Sequence, residues 1–283
     1  MTTPTLATQR PPAINSYGFL WNERADHVVS RLAAMGYREF ELMLQPPHLG
    51  LRIDSPEAQR LREMVRQGMV EIHALNMPSL DTNLASPFAE MRAYSVAMFK
   101  REIELASSIG VPFVVTVPGR LSPLFPAPRE KLREWMRESI AALIPFAEER
   151  GVRLAVENIP MASFPRADEL LDFISEINSP VLGVCYDVAN AHFIGEDPVA
   201  GIELFGDRLS LVHFSDTTRS VWRHDPLGAG DIYFGRICNA LARSGYSGPL
   251  VLEIIGSDPI AAIRQSHAAL QATGHPFPLG MST

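Results

Sequence analysis

Four short apolar runs in this chain each end on a residue that can bind a cation. Leu154-Ala155-Val156 leads into Glu157, Leu182 to Tyr186 into Asp187, Leu209 to Val212 into His213, and Pro249 to Leu252 into Glu253. Burying an unpaired carboxylate at the end of an apolar strand is costly, so four such termini make sense if the groups converge on a shared cation. Three carboxylates and one imidazole form a mixed oxygen and nitrogen set. Such a set suits one divalent ion, Mn, Co, Mg or Zn, in a site with open positions. The competing reading is a buried salt-bridge network with His213 as the partner. Strand alternation places Leu209, Leu211 and His213 on one side and Ser210 and Val212 on the other. Beyond His213 comes a dense polar loop with Asp216, Arg219, Arg223, His224, Asp225 and the Gly228-Ala229-Gly230 turn, which is weak evidence for phosphate binding.

Positioning four such residues requires a regular scaffold, and the chain has one. Eight cycles of short apolar strand, polar turn and amphipathic helix run almost from end to end. The strands are expected near Ile14 to Tyr17, Phe40 to Leu44, Glu71 to Leu75, Phe113 to Val117, Arg153 to Glu157, Leu182 to Asp187, Leu209 to Phe214 and Leu250 to Glu253. Between them lie segments such as HVVSRLAAMG and EKLREWMRESIAALIPFAEERG, with apolar residues recurring at three and four positions and Gly at the close. Strict alternation implies a parallel sheet, and eight units in 283 residues fit an α/β fold, a single-domain (β/α)8 TIM barrel, for which about 250 residues is typical. A doubly wound open sheet is the runner-up; no Gly-x-Gly-x-x-Gly fingerprint follows the first strand. The expected boundaries are a flexible tail over 1–12, the barrel over 13–273 and a C-terminal tail over 274–283. In a barrel the functional face is the C-terminal end of the strands, where all four ligands fall.

Composition narrows the partners. The net charge is −7 with acids and bases well mixed, which argues against nucleic acid. No apolar run approaches the roughly 20 residues of a membrane helix, and MTTPTLATQRPP lacks an apolar signal core, so a soluble, cytoplasmic protein with no membrane partner is expected. Cys185 and Cys238 are too few for a disulfide framework. Cys185 shares its strand face with Asp187 and is read as a packed core thiol beneath the site.

The segments LDTNLASPFAEMR, LAVENIP, GVCYDVANAHFIGEDP, LVHFSDTTR with HDPLGAGDI, and PLVLEI resemble the xylose isomerase-like TIM-barrel superfamily of sugar isomerases and epimerases. That group also holds inosose dehydratases, dehydroshikimate dehydratases and endonuclease IV. The resemblance implies that Glu157, Asp187, His213 and Glu253 match the single-metal set of ketose epimerases. It makes Glu157 and Glu253 the catalytic acid/base pair, moving a proton through a metal-stabilised enediolate of a sugar or sugar phosphate. It implies a small carbohydrate or polyhydroxy carbonyl substrate and a homodimer or homotetramer. His73, read as ending the third strand, His192, Arg223 and His224 are the expected substrate-binding residues; Asn158 is expected to support the site from behind. The nearest rival is a dehydratase (lyase), which shares the proton-abstraction step; a non-catalytic binding barrel and a nuclease are further alternatives. Endonuclease IV-like proteins bind three metals, and three of their additional ligand positions carry Val117, Asn190 and Trp222 here. A trinuclear nuclease is therefore not expected.

Overall fold

The computed structural model describes residues 11–78, 81–122 and 124–275, so the expected tails lie almost wholly outside the described residues. Its strands are β1 (Ala13–Asn15), β2 (Glu39–Met43), β3 (Glu71–Asn76), β4 (Phe113–Thr116), β5 (Arg153–Glu157), β6 (Leu182–Asp187), β7 (Leu209–Phe214) and β8 (Leu250–Leu252). Each pairs in parallel with the next and β1 closes on β8, giving the expected (β/α)8 barrel. A parallel strand in such a barrel is covered on both faces. Outward side chains such as Phe40, Ile72, Leu154, Val184 and Val212 join the core beneath the helices, whereas Ala74, Val115, Ala155, Cys185 and Leu211 pack inside the barrel. Cys185 is the core thiol expected, and burial pushes it well above its ordinary pKa.

The outer layer consists of α1 (Ala25–Ala34), α2 (Pro56–Arg66), α3 (Ala89–Ile109), α4 (Arg129–Arg150), α5 (Ala167–Ile177), α6 (Val188–Phe193), α7 (Pro198–Phe205), α8 (Phe234–Ser244) and α9 (Pro259–Gln271). Helix starts follow local chemistry. Ser55, Asp197 and Asp258 each accept a backbone N–H in front of a first-turn proline. None of the described helices is long and apolar enough to cross a membrane.

Two register shifts matter for the site. Phe40 pairs with Ile72 but Glu41 with Ala74, which leaves His73 unmatched; Val184 pairs with Leu209 but Cys185 with Leu211, which leaves Ser210 unmatched. An extra residue in one strand resets its alternation. Leu211 and His213 therefore share the inner face as expected, but Leu209 turns outward into the helix-covered core. Gly183 makes room for the shift, since a Cβ there would sit 2.1 Å from Ser210 Oγ.

Glu102 of α3 is fully buried and neither carboxylate oxygen has a hydrogen-bond partner. Burial, and then the nearby Glu41, push its carboxyl well above the ordinary value. Folding thus favours the protonated form, and the associated stability, complete below the unfolded-state pKa, is lost as pH rises through the folded one. Glu102→Met is expected to stabilise the fold by about 1–3 kcal/mol, with the larger gain at higher pH. Thermal melts of both proteins at pH 5 and pH 8 check this; a variant that melts lower at both would contradict it.

Candidate active site

Glu157 and Asp187 are the last residues of β5 and β6, His213 is next to last in β7, and Glu253 directly follows β8. Glu253 N–H still donates to Phe214 O at 3.1 Å, so its position is fixed by the barrel ladder. Side-chain ligand atoms of the four, all buried, lie within 4.8 Å of one another. His213 Nδ1 is 3.1 Å from Glu253 Oε2 and 3.5 Å from Glu157 Oε1. Asp187 has a double task. It caps α6, its Oδ1 accepting Asn190 N–H at 2.6 Å, while its Oδ2 is buried with no hydrogen-bond partner. Asn158 holds Asp187 from behind: its Oδ1 accepts Asp187 N–H at 2.7 Å and its Nδ2 donates to Asp187 O at 3.0 Å.

The electrostatics suit a bound cation. Burial pushes Glu157 up to about 7 against the pull of His213, with Glu253 and Asp187 adding to the rise. Burial likewise pushes Asp187 up to about 6, against His224. For Glu253 burial acts in the same direction but is outweighed by His213 and His224, which hold it below the ordinary carboxylate range. Burial opposes protonation of His224, yet Glu253 and Asp187 raise it to about 9. An orphaned buried carboxylate oxygen beside two further carboxylates and an imidazole is a donor set suited to a divalent cation. Because the ligands must shed protons to bind it, Mn²⁺ affinity is expected to rise between about pH 6 and 8 with net proton release. Isothermal titration in buffers of different ionisation enthalpy reads this directly; pH-independent affinity with no proton release would contradict it.

The residues expected to meet substrate separate into three groups. His224 joins the quartet, its Nδ1 3.4 Å from Glu253 Oε2, 3.7 Å from Asp187 Oδ2 and 3.0 Å from Ser215 Oγ. His192 and Arg223 lie outside it: His192 Nε2 is 2.5 Å from Asp231 Oδ1, and the exposed Arg223 is nearest Asp225 at 3.9 Å. His73 stands at the other end of the barrel. The third strand runs to Asn76, so His73 lies in its first half, unmatched at the register shift, with Nε2 2.8 Å from Glu39 Oε2 and Nδ1 3.6 Å from Glu71 Oε1. The strand-end position assigned to it belongs to Asn76. At that lower end Glu39 and Glu71 help line a cavity of about 1060 Å³. Chemistry favours the upper end, where the buried quartet and the polar loop meet.

The loop after β7 is tied down by its own acid. Asp216, fully buried, accepts N–H bonds from Thr217 and Ile232 on Oδ1 at 2.9 and 3.2 Å, and from Gly228 on Oδ2 at 2.8 Å. Gly230 passes so close that a Cβ would meet Thr217 O at 2.2 Å. The Gly-x-Gly turn is thus folded around a carboxylate of the protein. Trp222 Nε1–H donates to Asn190 Oδ1 at 2.7 Å, and the Asn190 side chain also donates to Asn158 O at 2.9 Å. Asn190 is committed to the loop. Trp21 and Phe125 are exposed in the loops after β1 and β4, while Trp135 packs under Arg92 as a helix residue.

One central residue escaped the sequence reading. Glu41, fully buried in β2, places Oε2 3.0 Å from His213 Nε2 across the barrel, while Oε1 accepts from Asn15 Nδ2 at 2.7 Å and Asn76 Nδ2 at 3.1 Å. The signal was present in EFELM. Glu39 and Glu41 alternate with apolar residues, and in a strand buried on both faces the polar set must point into the barrel. Tyr17 was missed as well: burial, then Glu253 and Glu157, raise its phenol, which places it within reach of both carboxylates' charge.

Comparison with known proteins agrees with this architecture. The family model described as xylose isomerase-like TIM barrel matches residues 29–273. An uncharacterised protein of Methanocaldococcus jannaschii is 23% identical over 232 residues, 80% of this chain and 77% of its own length. The L-ribulose-5-phosphate 3-epimerase UlaE of Escherichia coli is 23% identical over 192 residues, 67% of each chain. Among solved structures, an L-ribulose 3-epimerase superimposes with a TM-score of 0.79 at 18% identity, covering 93% of this chain and 94% of that one. A D-tagatose 3-epimerase-like protein gives 0.77 at 22% identity, covering 89% and 97%. The matched region takes in all of β2 to β8 and every member of the quartet. The chain belongs to the xylose isomerase-like TIM barrel family.

Proposed function

We propose that the protein is a divalent-metal-dependent isomerase or epimerase acting on a small sugar or sugar phosphate. The observation that carries this reading is the buried quartet Glu157, Asp187, His213 and Glu253, four potential ligands from the ends of four consecutive strands with one carboxylate oxygen left without a hydrogen bond. Epimerases among the sequence relatives and structural neighbours support it. A divalent ion bound there would hold a carbonyl and a neighbouring hydroxyl and acidify the intervening C–H. The protein's own part is proton transfer and positioning. Glu157 at the end of β5 and Glu253 at the end of β8 approach the same His213 nitrogen, so they flank one small volume at the barrel mouth. One takes the proton from the carbon beside the carbonyl and keeps it until it exchanges with solvent, and the other delivers its own proton to the opposite side. The loop anchored by the buried Asp216 carries His224 beside this volume.

His224 gives a second reading specific support. Its Nδ1, 3.4 Å from Glu253 Oε2 and 3.7 Å from Asp187 Oδ2, sets an imidazole beside the quartet that, when protonated, would donate to a departing hydroxyl, the step that a dehydratase needs in addition to the shared proton abstraction. Incubation of the Mn²⁺-loaded protein with ketoses, ketose phosphates, inososes and dehydroshikimate, followed by product analysis by NMR, separates the two. An epimeric or isomeric product supports the first reading. Loss of water with an enone product supports the second. Binding with no product from any of them would favour a non-catalytic barrel.

A further inference from the structure

We propose that Glu41 is a positioning residue that fixes the tautomer of His213, directing the Nδ1 lone pair at the metal-binding volume; this rests on the metal-site reading above. The geometry comes from three strands that contribute no member of the quartet. Asn15 at the end of β1 has its amide orientation set by Tyr17 N–H, which donates to Asn15 Oδ1 at 2.7 Å, so its Nδ2 faces Glu41 as a donor. Asn76 at the end of β3 donates to the same Oε1. With Oε1 taken by two amide N–H groups, Oε2 is left facing His213 Nε2 at 3.0 Å.

Both partners in that contact are fully buried, so water does not compete for it. An ionised carboxylate only accepts hydrogen bonds, and a neutral imidazole carries its hydrogen on one nitrogen alone. Nδ1 also faces an acceptor, Glu253 Oε2 at 3.1 Å; a cation held by Glu253 and Glu157 would take that oxygen away, and the Glu41 contact then keeps the hydrogen on Nε2 and leaves Nδ1 free to ligate. Partners of this kind set ring orientation and ligand basicity in metal sites, and losing one typically costs about 10- to 100-fold in metal affinity.

Glu41→Gln tests this sharply. The two asparagines hold the carbonyl oxygen of the new amide at Oε1, so its NH₂ faces His213 Nε2, demands an acceptor there and drives the hydrogen to Nδ1. Titration calorimetry with Mn²⁺ is expected to show affinity about 10- to 100-fold below wild type, with the circular dichroism spectrum unchanged. Long-range ¹H–¹⁵N correlation on the Zn²⁺-loaded wild type provides a readout that does not depend on the variant folding: the His213 proton is expected on Nε2 and the metal on Nδ1. Equal Mn²⁺ affinity in wild type and Glu41→Gln, or a proton on Nδ1 in the loaded wild type, would overturn the role of Glu41 and leave the metal site standing. Failure of the wild type to bind Mn²⁺ at all would overturn both.

Discussion

Glu157→Gln and Glu253→Gln are each expected to lower the rate of substrate proton exchange by about 10²- to 10⁴-fold, the usual contribution of a positioned acid or base. The amide keeps the shape and one oxygen of the carboxylate but cannot take a proton. The two variants should differ in a second respect. Glu253, held ionised by His213 and His224, is the stronger electrostatic partner of the imidazoles, whereas Glu157 is raised to about 7. Glu253→Gln should therefore weaken metal binding more than Glu157→Gln. Single-turnover exchange rates at saturating Mn²⁺ isolate the proton-transfer loss from the binding loss. Either variant exchanging within about threefold of wild type would remove that residue from the acid/base pair.

Asp187→Asn is the second large effect. Asparagine retains an oxygen that can accept Asn190 N–H, so the start of α6 is preserved. What changes is the unpartnered Oδ2, which becomes an NH₂ pointed toward three potential ligands. A donor cannot ligate a cation, and the site loses a negative charge too. Mn²⁺ affinity is expected to fall by more than about 100-fold, beyond the roughly 10- to 100-fold cost of losing a supporting residue. Calorimetry measures it, and a melting curve confirms the fold. Unchanged affinity would mean that Asp187 serves only as a helix cap.

How much of this was legible before the structure depends on what each residue answers to. Glu157, Asp187, His213 and Glu253 were readable because each breaks an apolar strand at its C-terminal end, a local pattern with a clear energetic cost. The barrel was readable for the same reason: strand and helix periods alternate throughout. His73 was misplaced because its position depends on a register shift against Phe40 and Glu41, a pairing property that no single strand displays. Leu209 failed in the same way across from Gly183. Glu41 was overlooked because Glu in an alternating strand reads as a solvent-facing residue until closure of the barrel removes the solvent. His192 and Arg223 were singled out for their nearness in sequence to the quartet and its loop, which does not fix where their side chains go. In the fold, His192 pairs with Asp231 and Arg223 faces outward, because the loop is organised by Asp216.

The measurement that tests the central claim most directly is solvent deuterium uptake at the carbon beside the substrate carbonyl, followed by NMR in D₂O with the Mn²⁺-loaded protein, the same protein stripped with chelator, and Glu157→Gln. The account predicts uptake by the loaded wild type across at least one ketose or ketose phosphate, loss on chelation, recovery on adding Mn²⁺ back, and little uptake by the variant. Uptake that survives chelation, or that proceeds undiminished in Glu157→Gln, would contradict a metal-dependent proton transfer at the quartet.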